Sequence, residues 1–110
     1  MNFEEYQKES KKTAKYPKID GKGYLYPVLG LAGEAGEVAE KIKKVFRDKN
    51  GEISDETKME IIKELGDVLW YLAQISSELD VPFDRVAQEN LKKLASRFER
   101  DKISGNGDNR

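Results

Sequence analysis

Two stretches of this chain repeat apolar residues at three-and-four spacing over many helical turns, and both carry acids inside the pattern. In the first, Leu31, Ala32, Ala35, Val38, Ala39, Ile42, Val45 and Phe46 keep the spacing; in the second, Met59, Ile62, Leu65, Val68, Leu69, Leu72 and Ile75 do, with Ile61 and Trp70 beside them. A period of 3.6 residues puts each set on one side of an α-helix, so the spacing predicts helices over about 27–48 and 55–79. The apolar set of the second is wider than one face needs, which predicts a helix covered from more than one side.

Two shorter helices complete the chain. Phe3, Tyr6 and Gln7 follow a capping Asn2 and predict a helix over about 3–15, ended by Pro17. Phe83, Val86, Ala87, Leu91, Leu94, Ala95 and Phe98 predict a last helix over about 83–101, with Pro82 near its first turn. Between them, PKIDGKGYLYP at 17–27 reads as a loop with aromatic side chains, Asn50-Gly51 as a turn, Ser54 or Asp55 as a helix cap and Asp80-Val81-Pro82 as a break. The expectation is an all-α, four-helix bundle-like domain over 1–101 with a polar tail, 102–110.

At 110 residues the core is modest, so a partner subunit would help. Charged residues make up 37%, against about 25% in an ordinary domain, and long amphipathic helices organise the sparse apolar residues economically. Lys and Arg total 20 and Asp and Glu 21, so no overall field draws the chain to nucleic acid or an acidic membrane. With neither Cys nor His, thiolate and imidazole chemistry and the usual zinc sites are excluded, and a bound metal would be hard and oxygen-ligated. No membrane-spanning run or secretory leader is legible, so the expected location is the cytoplasm.

The acids are the chemically informative residues. Glu34 and Glu37 are three apart in GLAGEAGEVAEK, so they project from neighbouring turns of one face, with Lys41 on the next; Glu64 and Asp67 repeat the arrangement in KELGDVLWYL. If the two helices lie side by side, four carboxylates converge and need a cation to offset their repulsion. Gly30, Gly33, Gly36 and Gly66 each cost a helix about 1 kcal/mol relative to Ala, which asks for close backbone approach by another helix or by a ligand.

The two motifs, in the contexts GLAGEAGEVAEKIKK and ELGDVLWYL, resemble the MazG-type nucleotide pyrophosphohydrolases of the short, single-domain kind. The likeness extends to the YQ element near the start, the YLYP loop, NLKKLASRF and the terminal SGNGDNR. The resemblance implies an all-α MazG fold, dimers or dimers of dimers, dependence on Mg²⁺ with Mn²⁺ as a possible substitute, and cleavage of a (d)NTP between the α and β phosphates in nucleotide-pool housekeeping. It implies Glu34, Glu37, Glu64 and Asp67 as metal ligands, with one glutamate orienting or deprotonating water.

By the same likeness Asn90, Lys93 and Arg97, on one face of the last helix, would reach phosphate oxygens, the alternative being an ordinary solvated face, and Lys41 is a further substrate-binding candidate. Tyr71, one turn beyond Asp67, is the aromatic expected to flank a base, while Trp70 is expected to pack; Tyr24 and Tyr26 are further candidates. Asp108-Asn109-Arg110 either closes over substrate or frays. Ferritin-like di-iron bundles are excluded because they need Glu-x-x-His pairs. The non-enzymatic alternative is a helical interaction or antitoxin-like module with a solvated acidic stripe.

Overall fold

The computed structural model describes residues 1–110 and is all-helical: α1 (Phe3–Lys11), α2 (Leu25–Asp48), α3 (Asp55–Glu78) and α4 (Phe83–Glu99). Each boundary has a local cause. Asn2 Oδ1 accepts the Glu5 amide at 2.8 Å and Ser54 Oγ the Thr57 amide at 3.1 Å, so both expected caps supply acceptors for orphan N–H donors at helix starts. Asn50 and Gly51 both take positive φ in the α2–α3 turn, as does Asp80 between α3 and α4.

The first helix is shorter than the predicted 3–15. It stops at Lys11 because Thr13 turns back on it, its hydroxyl donating to the Ser10 carbonyl at 3.0 Å, while the Trp70 indole N–H donates to the same hydroxyl at 2.9 Å. The last helix ends at Glu99, two residues early, followed by Asp101 at φ 55°.

The long helices α2 and α3 form an antiparallel hairpin, in which Gly30 meets Tyr71, Lys41 meets Glu60 and Lys49 meets Thr57. As its wide apolar girth predicts, α3 is central and packs on each of the other three helices. Its C-terminal half carries α1, and Gln7 is the joint. The Gln7 side-chain amide donates to Ser77 Oγ at 3.1 Å and to the Val81 carbonyl at 3.0 Å, and its oxygen accepts the Phe83 amide at 2.9 Å. Phe3 and Tyr6 rest on Phe83, with ring centroids 5.0 and 6.4 Å apart.

Helix α4 touches α1 and α3 but not α2, so the chain is an open frame rather than a closed bundle. Its radius of gyration is 16.9 Å, against about 13 Å for a compact domain of this length. Phe98, Phe46 and Leu91 are 78%, 69% and 66% exposed, an unusual display of large apolar groups.

Candidate active site

The hairpin brings three of the four predicted acids together. Glu34 on α2 and Glu64 and Asp67 on α3 each offer a carboxylate oxygen, all within 4.8 Å of one another, with the two glutamates half-buried and Asp67 exposed. Glu37 lies outside this trio. Residues three apart on a helix are turned about 60° around its axis, an offset that α3 accommodates with both Glu64 and Asp67 in the trio. It is therefore the rotation of α2 against α3 that aims Glu34 at them and leaves Glu37 aside. Its charge nevertheless reaches Glu34.

The electrostatics are those of an uncompensated cluster. The Glu34 carboxyl is pushed above the ordinary glutamate range, first by desolvation and then by the negative charges of Asp67, Glu64 and Glu37. None of the four acids forms an ion pair with a lysine or arginine of the chain. The donor set is all carboxylate oxygen, drawn from two rigid helices. It suits a hard divalent cation of the Mg²⁺ type, which binds through one or two carboxylates and keeps room for water or phosphate.

Aromatic side chains flank the cluster. Burial raises the Tyr71 phenol, and Tyr26, Glu34 and Asp67 add to the shift, so this phenol lies within the electrostatic reach of the acids. Tyr16 stacks on Tyr26 at 5.5 Å and nearly parallel, and meets Trp70 edge-on at 6.2 Å; Trp70 in turn meets Tyr71 edge-on at 5.1 Å. Trp70 is thus tied to Tyr16 and Thr13. Tyr24 precedes α2 and is partly exposed.

Two further aromatic residues lie near the site, Tyr6 of the YQ element and Tyr16, which no motif marked. The Tyr6 phenol is raised by burial and then by Asp67, which puts α1 within the field of the cluster. Tyr16 donates its hydroxyl to Glu78 Oε1 at 2.7 Å, anchoring the loop that delivers Tyr26. The YQ element marks Tyr6 without giving it a role, and for Tyr16 only its aromatic identity gives a hint.

The basic candidates are placed differently. Lys41 faces Glu60 at 3.7 Å, about two turns along α2 from Glu34. Asn90 and Lys93 line a shallow hollow with Val81, Arg85, Val86 and Glu89, and Lys93 and Arg97 both hold Asp108 of the tail. With no packing between α2 and α4, a single chain does not bring this face against the acids of α2. No hollow of the single chain encloses the trio either.

Comparison with known proteins identifies the family. The model of the MazG nucleotide pyrophosphohydrolase domain matches residues 25–100, the span from the start of α2 to the end of α4 that contains both acid motifs. The chain belongs to the MazG nucleotide pyrophosphohydrolase family. It is also 46% identical over 114 residues to the Gene 37 protein of Mycobacterium phage L5, covering the whole of both chains. No solved structure matches. Within the MazG span lie Glu34, Glu37, Glu64, Asp67 and Tyr71, whereas Tyr6, Tyr16 and the tail fall outside it. No helix is long and apolar enough to cross a membrane.

Proposed function

We propose that this MazG-family chain is a Mg²⁺-dependent nucleoside triphosphate pyrophosphohydrolase that cleaves a (d)NTP between the α and β phosphates, releasing (d)NMP and pyrophosphate. The observation that carries the reading is the trio of carboxylates within 4.8 Å on two helices, left without a cationic partner by the protein itself. Such an arrangement is costly for a scaffold and useful for a metal site.

Glu34, Glu64 and Asp67 would hold the ion, with Mn²⁺ as a possible substitute. When bound, the ion supplies neutralisation of phosphate oxygens and a lowered pKa for water. Glu37, one turn along α2 and outside the trio, is available to orient the attacking water or to complete the ligand set. Water adds to phosphorus as the bridging oxygen leaves with pyrophosphate, and the water's proton passes to a carboxylate of the cluster. Tyr71 flanks the base, backed by Tyr26 and Tyr16. Asn90, Lys93, Arg97 and Lys41 supply positive charge or hydrogen bonds to the polyphosphate.

The working form we propose is a homodimer or homotetramer in the cytoplasm. The exposed Phe46, Leu91 and Phe98 and the open frame support association, and a second copy would bring an α4 basic face towards the acids. The role would be nucleotide-pool housekeeping.

A panel of ribo- and deoxyribonucleoside triphosphates with Mg²⁺, with pyrophosphate and orthophosphate assayed separately, tests the reading. Pyrophosphate is expected as the first product. Orthophosphate as first product would overturn the bond assignment; no product and no Mg²⁺ effect would leave a non-catalytic helical module.

A further inference from the structure

Residues 101–110, beyond the family match, do not trail away from α4. They fold into a loop around one guanidinium group. Arg110 donates from Nε to the Lys102 carbonyl at 3.1 Å, from Nη2 to the Ile103 carbonyl at 3.0 Å and from Nη1 to the Gly107 carbonyl. Gly105 and Gly107 take positive φ to let the chain turn about it. Arg100 Nη1 then donates to the Arg110 main-chain oxygen at 2.7 Å, fastening the loop to the end of α4.

This loop aims one anion at the basic face of the helix. Lys93 Nζ lies 3.0 Å from Asp108 Oδ1; Arg97 Nη2 lies 3.4 Å from the same oxygen and donates to the Asp108 carbonyl at 2.7 Å. The two ends of the contact are unlike. The Arg97 side chain is 5% exposed, a cation held in the protein, whereas that of Asp108 is 82% exposed and in contact with solvent. An exposed carboxylate holds its partner weakly, because water and salt compete for it. A polyphosphate offers more charge and more acceptor oxygens to the same two donors, and in the bidentate geometry guanidinium favours.

We propose that Lys93 and Arg97 form an anion site whose resident ligand is the protein's own Asp108, and that the 101–110 loop is a plug which polyphosphate displaces. The inference rests on the phosphate role proposed above for Lys93 and Arg97 and adds its regulation. No bond is made or broken: one carboxylate is exchanged for phosphate oxygens on the same cations.

The test uses inorganic pyrophosphate without divalent metal, so that hydrolysis plays no part. Calorimetric affinity is compared among the wild type, Asp108→Asn and Lys93→Met, while amide exchange of residues 103–110 is followed with and without pyrophosphate. Asp108→Asn is expected to bind pyrophosphate about two- to five-fold more tightly, the range an exposed ion pair contributes. Pyrophosphate is expected to speed exchange in the wild-type loop, and Lys93→Met to blunt both effects. Unchanged or weakened binding by Asp108→Asn, or slower exchange of the loop with pyrophosphate, would overturn the proposal. Glu34→Gln separates it from the catalytic reading: displacement of the loop should survive in that variant even if triphosphate hydrolysis is absent from the wild type as well.

Discussion

Gly30 on α2 stands so close to the Tyr71 ring on α3 that a β-carbon would overlap the phenol, so the glycine is what leaves room for this aromatic against α2. Alanine in a helix interior ordinarily gains about 1 kcal/mol over glycine, but overpacking costs about 1–3 kcal/mol. Gly30→Ala is therefore expected to lower stability by roughly 1–2 kcal/mol in chemical denaturation. It should also raise KM for a triphosphate, because Tyr71 must move. A more stable variant with unchanged KM would contradict this placement.

Gly33, Gly36 and Gly66 behave oppositely, since a β-carbon there meets nothing within 4 Å. No helix of the same chain accounts for them. Gly66→Ala should raise the stability of the dissociated, metal-free chain by up to about 1 kcal/mol. It should lower kcat/KM about ten-fold or more by crowding ligand beside Asp67. Full activity in that variant would remove the ligand from this surface.

Glu34 sets a pH dependence. Its folded-state carboxyl is raised above the ordinary 4.5, so the folded chain holds this proton more tightly than the unfolded chain does. The associated stability is fully present below pH 4.5 and is lost as pH rises through the raised value. At neutral pH, Glu34→Gln should therefore melt higher than the wild type without metal, and millimolar Mg²⁺ should raise the wild-type Tm much more than that of the variant. A variant that melts lower at neutral pH and still responds fully to Mg²⁺ would contradict the cluster.

Gln7 joins α1 to the α3–α4 turn through three hydrogen bonds. Gln7→Leu leaves the Phe83 amide and the Val81 carbonyl without that partner, at a cost of about 1–3 kcal/mol. Urea unfolding should show the loss. Urea midpoints matching the wild type's would mean that α1 is not docked by this residue.

The fold was legible because its signals are local. Helical periodicity, the Asn2 and Ser54 caps and the breaks at Asn50-Gly51 and Pro82 all act within a few residues, and the structure keeps each of them, whereas α1 ends six residues before the Pro17 expected to stop it. The early end of α1 was not legible, since it follows from Trp70 reaching Thr13 across 57 positions. The convergence of Glu34 with Glu64 and Asp67 follows from facing helical stripes, but Glu37's place outside the trio depends on how α2 is rotated against α3. The approach of Tyr6 to Asp67 depends on how α1 docks, which Gln7 decides through partners seventy and more positions away.

The central claim, that carboxylates of α2 and α3 grip a divalent cation which in turn holds a polyphosphate, is tested most directly by titrating Mg²⁺ calorimetrically into the protein bearing an α,β-methylene triphosphate analogue. The wild type should take up Mg²⁺ more tightly with the analogue than without it, and a chain carrying both Glu64→Gln and Asp67→Asn should lose that uptake while its helix content is unchanged. Mg²⁺ binding of undiminished affinity in the doubly substituted chain would contradict the account.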